Sequence, residues 1–135
     1  MIASELLNSG SKILKNNKIK SYQLDSELLL SNVLKKKREK ILINLDQEVP
    51  KNIINNFKKL ILKRSKKEPL AYILKKKEFW SKEFFVNRNT LIPRPETELL
   101  CENIIKIFKD KCVNILDIGT GSGCILLSIL SEIKG

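Results

Sequence analysis

The segment DIGTGSG, residues 117–123, carries the residue types and the spacing that bear most directly on chemistry. Glycines at positions 119, 121 and 123 allow the chain to turn sharply and allow a ligand to approach the backbone closely. The carboxylate of Asp117 would lie beside such a ligand, where it can order the loop or meet a cationic group. These residues predict a binding loop.

The elements on either side of this loop are expected to be a strand and a helix. The apolar run at 113–118 is typical of a buried parallel strand, and CILLSILSEI at 124–133 is typical of a helix whose first N–H groups face the loop. The dinucleotide pattern G-x-G-x-x-G fails because Cys124 stands where its third glycine would fall, and no Gly-Lys pair supports a phosphate loop. The remaining pattern, D-x-G-x-G-x-G, is that of S-adenosylmethionine-dependent methyltransferases with a Rossmann-like fold, although similar loops also occur as plain packing turns.

A second unusual string, TLIPRPETELL, precedes the glycine loop. Pro93 and Pro95 favour extended backbone at the residues before them, and Pro95 and Glu96 suit the first turn of a helix. A rigid corner between an extended segment and a helix follows from these preferences. They give no reason for Arg94, which is a poor helix cap, or for Thr97.

The first seventy residues are predicted to form a small bundle of amphipathic helices, with apolar residues at helical spacing on one side of each. Gly10 weakens the first helix, and Pro50 opens the last and clearest one. A second helix is predicted at 25–34. The apolar residues named for the other three helices are Ile2, Leu6, Leu7, Ile13 and Leu14; Ile41, Leu42 and Leu45; and Ile53, Ile54, Phe57, Leu60 and Ile61.

The character of the sequence changes after Glu68-Pro69. Aromatic and β-branched residues dominate between positions 72 and 91, and two short strands around Ser81-Lys82-Glu83 predict a hairpin. A further helix is predicted at about 95–109. The boundary between the helical part and the rest is placed between residues 70 and 90.

Composition excludes several functional classes. The chain has no histidine, which removes Ser-His and Cys-His catalysis and leaves no ligand set for zinc. Its three cysteines, at positions 101, 112 and 124, are expected to be buried reduced thiols. No apolar run approaches the roughly 18 residues of a membrane span, and the first residues lack a secretory apolar segment, so a cytoplasmic protein is expected.

The net charge of +11 comes mainly from lysine. Between positions 58 and 82 there are ten basic residues and two acids. Attraction to nucleic acid is one interpretation, and an A/T-biased coding sequence is the other. Because no aromatic residues suited to base stacking alternate with these lysines, direct nucleic-acid binding is not expected.

The whole pattern resembles the release-factor glutamine methyltransferases of the HemK/PrmC type. The resemblance rests on five strings in the order and spacing of that family, of which LIPRPETE is the most specific. They are DSELLLSNVL at 25–34, EPLAYIL at 68–74, KEFW at 77–80, TLIPRPETELL at 90–100 and NILDIGTGSGCI at 114–125.

The resemblance implies an α plus α/β fold: a helical substrate-docking domain at 1–70, a β-hairpin linker at 71–92, and at 93–135 the start of a Rossmann-like seven-stranded catalytic domain. It implies S-adenosylmethionine as cofactor, methyl transfer to the side-chain amide nitrogen (N5) of a glutamine, and a peptide chain release factor as protein substrate. A monomer is expected. The implied cofactor-binding residues are Asp117, Gly119, Thr120, Gly121, Ser122 and Gly123, and the implied pocket wall is Pro93, Arg94, Pro95, Glu96 and Thr97.

Some features of that family differ or are missing in this sequence. Lys67, Lys75 and Ser81 stand where the family usually has glycine, in turns whose backbone geometry is therefore in question. The Asn-Pro-Pro-Tyr motif that holds the target amide is absent, as is the acid that binds the cofactor ribose. The 135 residues are therefore expected to be an N-terminal portion with no catalytic residue and no activity alone.

Two other functions remain open from the sequence. An adenine-N6 DNA methyltransferase shares the glycine loop, although no target-recognition domain is visible. A non-catalytic module would use the helical bundle alone to bind a release factor. A helical docking domain joined to LIPRPETELL fits the protein methyltransferases better than the DNA enzyme, and the binding module stays open.

Overall fold

Five helices make up the first of two units in this computed structural model, which describes residues 1–133. The units are Met1–Leu74 and Lys75–Gly135. The structure is thus mixed, with helices throughout and one small antiparallel sheet in the second unit. Among the described residues, no helix combines the length and apolar character that crossing a membrane requires.

The helical unit confirms the four predicted helices, with small shifts at their ends, and adds a short helix at Leu70–Leu74 that was not predicted. The helices are α1 (Ala3–Asn16), α2 (Tyr22–Leu34), α3 (Arg38–Ile43), α4 (Lys51–Ser65) and α5 (Leu70–Leu74). The prediction that Ile13 and Leu45 are buried is wrong, because each is 37% exposed. The buried cluster is Ala3, Leu6, Leu7, Leu14, Ile19, Leu29, Leu30, Ile41, Val49, Phe57, Ile61 and Ile73.

Gly10 lies where α1 approaches α2 and α4 most closely. A Cβ atom at this position would lie 2.7 Å from both the Phe57 Cζ and the Ser26 Oγ, and 3.0 Å from the Ile61 Cδ1. Glycine is unfavourable inside a helix, as the sequence indicated, but here it removes a side chain that the packing could not hold. Close approach of three helices explains its position.

A buried ion pair joins α2 to α4. Arg64 Nε donates to Asp25 Oδ2 at 2.6 Å, and the Asp25 side chain is only 5% exposed. The same guanidinium donates to the carbonyl oxygen of Glu68 at 3.1 Å, just beyond the end of α4. Asp25 is the first residue of the DSELLLSNVL string, so that string contributes a buried charge as well as apolar packing.

Three helices of this unit end with a lysine in the left-handed region. Lys18, Lys35 and Lys67 have φ angles of 60°, 51° and 65°. In each case the following N–H donates to the carbonyl five residues earlier, as in the Schellman motif: Ile19 to Leu14, Lys36 to Ser31 and Glu68 to Lys63. This position favours glycine, so each lysine holds a costly backbone conformation.

The second unit begins with the predicted hairpin. Its turn starts at Trp80, one residue before the Ser81-Lys82-Glu83 segment around which it was expected. Strands β1 (Lys76–Phe79) and β2 (Lys82–Phe85) pair antiparallel, with Phe79 opposite Lys82. The two-residue turn is Trp80-Ser81, with φ angles of 53° and 55°. Positive φ at both turn residues matches the twist of a tight hairpin, where glycine or asparagine is normally preferred.

The positions that depart from the family have a backbone conformation that favours glycine. Lys67, Lys75 and Ser81 all have positive φ, with values of 65°, 58° and 55°. Side chains other than glycine adopt this region rarely because Cβ approaches the following carbonyl oxygen.

The rest of the second unit contains two helices and no strand at 113–118. A 3₁₀ turn at Pro95–Thr97 leads into α6 (Glu98–Phe108), and α7 (Cys124–Leu130) follows the glycine loop. The prediction of a strand at 113–118 is wrong for this structure, since no other described segment pairs with these residues. The unit's buried cluster is Phe79, Phe84, Cys101, Cys124 and Ile129.

Candidate cofactor site

A cavity of about 140 Å³ lies between the TLIPRPETELL corner and the glycine loop, both in the second unit. Their nearest lining residues, Thr97 and Gly119, are 22 residues apart in the sequence, and folding brings them to the same cavity. The lining residues are Leu91, Ile92, Pro93, Arg94, Thr97, Gly119, Thr120, Gly121, Ser122, Cys124 and Ile125.

The glycine loop holds a backbone that other residues adopt with difficulty. The φ angles at Gly119, Gly121 and Gly123 are 78°, 58° and 77°. A Cβ atom at Gly119 would meet nothing within 4 Å, and one at Gly121 only the Gly119 carbonyl oxygen at 3.9 Å. The conformation thus requires glycine, and the space beside the first two glycines is free for a ligand to approach the main chain.

Two polar side-chain atoms of residues 117–123 are buried without a hydrogen-bond partner. They are Asp117 Oδ2 and Ser122 Oγ, of which Ser122 lines the cavity. Buried polar atoms in folded proteins are nearly always paired, so a ligand that offers hydrogen bonds here would satisfy them. A carboxylate and a hydroxyl suit a ligand with an ammonium or hydroxyl group, and the amino acid part of S-adenosylmethionine carries an ammonium.

The corner of the cavity is stiffened by local hydrogen bonds. Arg94 is extended, with φ of −96° and ψ of 139°, and its carbonyl oxygen accepts from the Thr97 N–H at 3.0 Å. The Glu98 carboxylate then accepts from the Trp80 backbone N–H at 2.8 Å. The first turn of α6 is thereby fixed to the hairpin turn.

The structure brings some of the implied site residues to the cavity and not others. Pro93, Arg94, Thr97, Gly119, Thr120, Gly121 and Ser122 line it. Pro95, Glu96, Asp117 and Gly123 are not among the lining residues, although Gly123 caps α7 and Asp117 has its unpartnered oxygen. Four lining residues were not predicted: Leu91, Ile92, Cys124 and Ile125.

Only some of the four lining residues that were not predicted could have been inferred from the sequence. Leu91 and Ile92 belong to the same string as Pro93, so their neighbourhood could have been inferred. Cys124 was interpreted as a buried thiol, and it is buried, with 7% exposed. Its proximity to the cavity depends on how α7 begins, which the sequence pattern does not specify.

The buried thiol of Cys101 has a raised pKa. Burial first, and then the neighbouring Cys124 and Glu98, raise the pKa of the Cys101 thiol, although a backbone hydrogen bond partly offsets them. A raised pKa keeps the thiol protonated and unreactive near neutral pH. Cys112 is exposed, so the prediction of buried cysteines holds for two of the three.

The size of the cavity limits what it can hold. Pockets for whole cofactors usually enclose about 300–1,000 Å³. At about 140 Å³ this cavity accommodates only part of such a molecule. The glycine loop lies on one side of this small cavity and the proline corner on the other.

Comparison with known proteins assigns a family. The PrmC N-terminal domain matches residues 5–74, which is more than half of the chain. The chain therefore belongs to the PrmC N-terminal domain family, and the resemblance found in the sequence is confirmed.

Similar proteins extend the match into the second unit. A release factor glutamine methyltransferase of Leptospira interrogans is 43% identical over 126 residues, covering 92% of this chain and 44% of the relative. One from Buchnera aphidicola is 46% identical over 107 residues, covering 79% and 39%. A bifunctional methyltransferase of Rickettsia conorii is 36% identical, covering 96% of this chain and 29% of the relative. The chain spans less than half the length of these relatives.

Proposed function

We propose that this chain serves the S-adenosylmethionine-dependent methylation of a glutamine side-chain amide nitrogen (N5) in peptide chain release factors. The observation that carries the proposal is the shared cavity of the proline corner and the glycine loop. Relatives with up to 46% identity are named for this reaction. The cavity gives the two strings most typical of the family a common purpose.

In this proposal each part of the cavity has a separate task. The bound cofactor supplies a methyl group on a positively charged sulfur. Asp117 and the loop Gly119–Gly123 would hold its amino acid end, because the loop offers accessible main chain and two unpartnered polar atoms. The corner Pro93–Thr97 would form a stiff wall, which keeps the reacting groups aligned.

The proposed architecture has three parts: a docking domain at 1–70, a hairpin linker at 71–92 and the beginning of a seven-stranded Rossmann-like domain at 93–135. The strand expected at 113–118 is not formed among the described residues, but burial alternates there, since Ile115 packs against the buried cluster while Leu116 and Ile118 are exposed. A segment with that alternation could pair only if neighbouring strands satisfied its backbone groups. We also propose a cytoplasmic monomer that does not bind nucleic acid directly.

A chimeric enzyme tests the proposal. Residues 1–135 would replace the matching part of the Leptospira interrogans relative, and the purified chimera would be incubated with tritiated cofactor and a release factor. We expect incorporation of the methyl group into the release factor, and a loss of at least about 100-fold for Gly121→Val, whose side chain opposes the positive φ. Ser131→Val, on a residue outside the cavity, is the matched control.

The same assay separates the alternatives. Methylation of duplex DNA by the chimera, with none on the release factor, would support the adenine-N6 function instead. A folded chimera that binds the cofactor but modifies neither substrate contradicts the proposal. For the 135 residues alone we expect no transfer and weak or no cofactor binding, because the cavity encloses only part of the molecule.

A further inference from the structure

A groove in the helical unit lies between α1 and α4 and encloses about 160 Å³. It belongs to neither the glycine loop nor the proline corner. Its lining residues are Leu6, Ser9, Gly10, Ile13, Phe57, Lys58, Ile61 and Leu62.

The groove has an apolar floor and exposed apolar walls. Gly10 contributes no side chain, so the floor is formed by Leu6, Phe57 and Ile61, which are each 1% exposed. The walls include Ile13 and Leu62, which are 37% and 56% exposed. An aliphatic side chain entering the groove would bury its own apolar surface and that of both walls.

The groove is bordered by positive charge alone on the α4 side. Lys58 lines it, and residues 49–67 contain six lysines, one arginine and no acid. The arginine is Arg64, which is engaged by Asp25. Residues 1–74 contain sixteen basic and seven acidic side chains, which gives a net charge of +9.

We propose that this groove docks an acidic amphipathic helix of a partner protein. One leucine or phenylalanine of that helix would enter the groove, while glutamates or aspartates beside it would pair with Lys58 and its neighbours. A dry cavity of about 150 Å³ accommodates a group the size of benzene, so the volume suits one such anchor.

A helix fits the shape of the groove better than an extended peptide. The α1 wall runs from Leu6 to Ile13, seven residues, which is about 10 Å of helix. This is the distance between apolar residues at i and i+7, the spacing by which an amphipathic helix lies in a groove.

A protein fits better than a nucleic acid. Single-stranded nucleic acids are held by exposed aromatic rings that stack on bases. Phe57, the one aromatic residue lining the groove, is 1% exposed and offers no stacking face. The apolar walls would instead be left against a sugar-phosphate backbone.

Fluorescence anisotropy with a designed peptide tests the docking surface. The probe is a fluorescein-labelled helix of about 20 residues, long enough to be helical, with leucines at i, i+4 and i+7 and glutamates on both flanks. It contains no glutamine, and no cofactor is added, so the result is independent of the proposed methylation. The full 135-residue chain is titrated, and binding is expected to weaken with added salt.

Matched variants locate the contact. Leu62→Glu is expected to weaken peptide binding at least tenfold, whereas Ile43→Glu, which adds the same charge at an apolar residue 86% exposed on α3, stays within about twofold. Lys58→Glu is expected to weaken binding several-fold more than Lys40→Glu, another exposed lysine. Unchanged circular dichroism and urea midpoints confirm that these exposed substitutions leave the fold intact.

Several outcomes would overturn the proposal. Equal binding of a peptide with serines in place of the leucines would show that charge alone is recognised. Equal peptide affinity of Leu62→Glu and Ile43→Glu would show that the groove is not the contact. Displacement of the peptide by single-stranded DNA at equal concentration would show that the surface binds nucleic acid equally well. Sedimentation showing a dimer that Leu62→Glu dissociates would assign the groove to a second copy of this chain.

Discussion

Among the described residues, twelve apolar side chains form the buried cluster of the helical unit, and five form that of the second unit. The shorter second unit nevertheless exposes nine large apolar residues, against six in the first. Leu116 and Ile118 are 84% and 87% exposed. The net charge differs as well. It is +9 for residues 1–74 and +2 for residues 75–135, which contain ten basic and eight acidic side chains.

This difference shows that a helix and a strand depend on their surroundings differently. A helix satisfies its own backbone hydrogen bonds, so an amphipathic sequence needs only an apolar neighbour. A strand needs another strand for its N–H and C=O groups. Residues 113–118 have the composition of a buried strand, but no described segment pairs with them, and only one of their faces packs.

The largest expected effect comes from breaking the ion pair that joins α2 to α4. Arg64→Ala would leave Asp25 buried without its partner, and we expect a loss of about 3–5 kcal/mol in the free energy of unfolding. Urea unfolding followed by circular dichroism measures it. Arg38→Ala removes a more exposed pair with Glu27 and is expected to lose no more than about 1 kcal/mol. Equal losses would mean that the buried pair has no special role.

Gly10→Ala tests whether packing overrides helix propensity. Propensity alone predicts a gain of about 1 kcal/mol, but a Cβ 2.7 Å from both Phe57 and Ser26 leads us to expect a net loss of about 2 kcal/mol. The urea midpoint should therefore fall. Ser9→Ala, on the exposed side of α1, should change stability by less than about 0.5 kcal/mol. A rise in the midpoint for Gly10→Ala would contradict the close packing.

Lys67→Gly tests whether the left-handed backbone at the end of α4 carries strain. Because φ is 65° at this lysine, we expect a gain of about 1 kcal/mol, measured by thermal and urea unfolding. Lys59→Gly provides the matched control, since it replaces an exposed lysine inside the same helix and should lose about 1 kcal/mol. Losses of similar size in both variants would show that the lysine side chain stabilises the left-handed position.

The smallest effect is expected at the exposed face of residues 113–118. Leu116→Ser should change the stability of the second unit by less than about 0.5 kcal/mol, because the side chain contacts little. Ile115→Ser, on the face packed against the buried cluster, should cost about 1 kcal/mol. Trp80 is the single tryptophan, so its fluorescence reports on this unit. Equal effects would show that the two faces are not distinct.

Several features could be predicted from local sequence. Helical spacing of apolar residues identified α1 and α4, since the pattern repeats over more than two turns in each, and the string DSELLLSNVL identified α2. The hairpin was expected from its aromatic and β-branched residues, but its turn lies at Trp80-Ser81, where no glycine or asparagine signals positive φ. The string LIPRPETE and the glycine loop identified the family before any geometry was known.

Other features depend on contacts between distant residues. The Asp25–Arg64 pair spans 39 residues, and neither charge differs in the sequence from its solvated neighbours. The tight contact at Gly10 depends on how three helices cross. The contact between Glu98 and the Trp80 N–H spans 18 residues and fixes the corner that the prolines only stiffen.

Local sequence was enough to predict the helical periodicity, the proline corner, the glycine loop and the membership of a methyltransferase family, because each depends on neighbouring residues. The folded structure was needed to show that the corner and the loop share one cavity, that Gly10 makes room for Phe57, and that an apolar groove bordered by lysine lies between α1 and α4. It also decided that residues 113–118 remain unpaired. The reason is physical: propensity acts through adjacent residues, whereas cavities, buried charges and strand pairing depend on surfaces that meet only after folding.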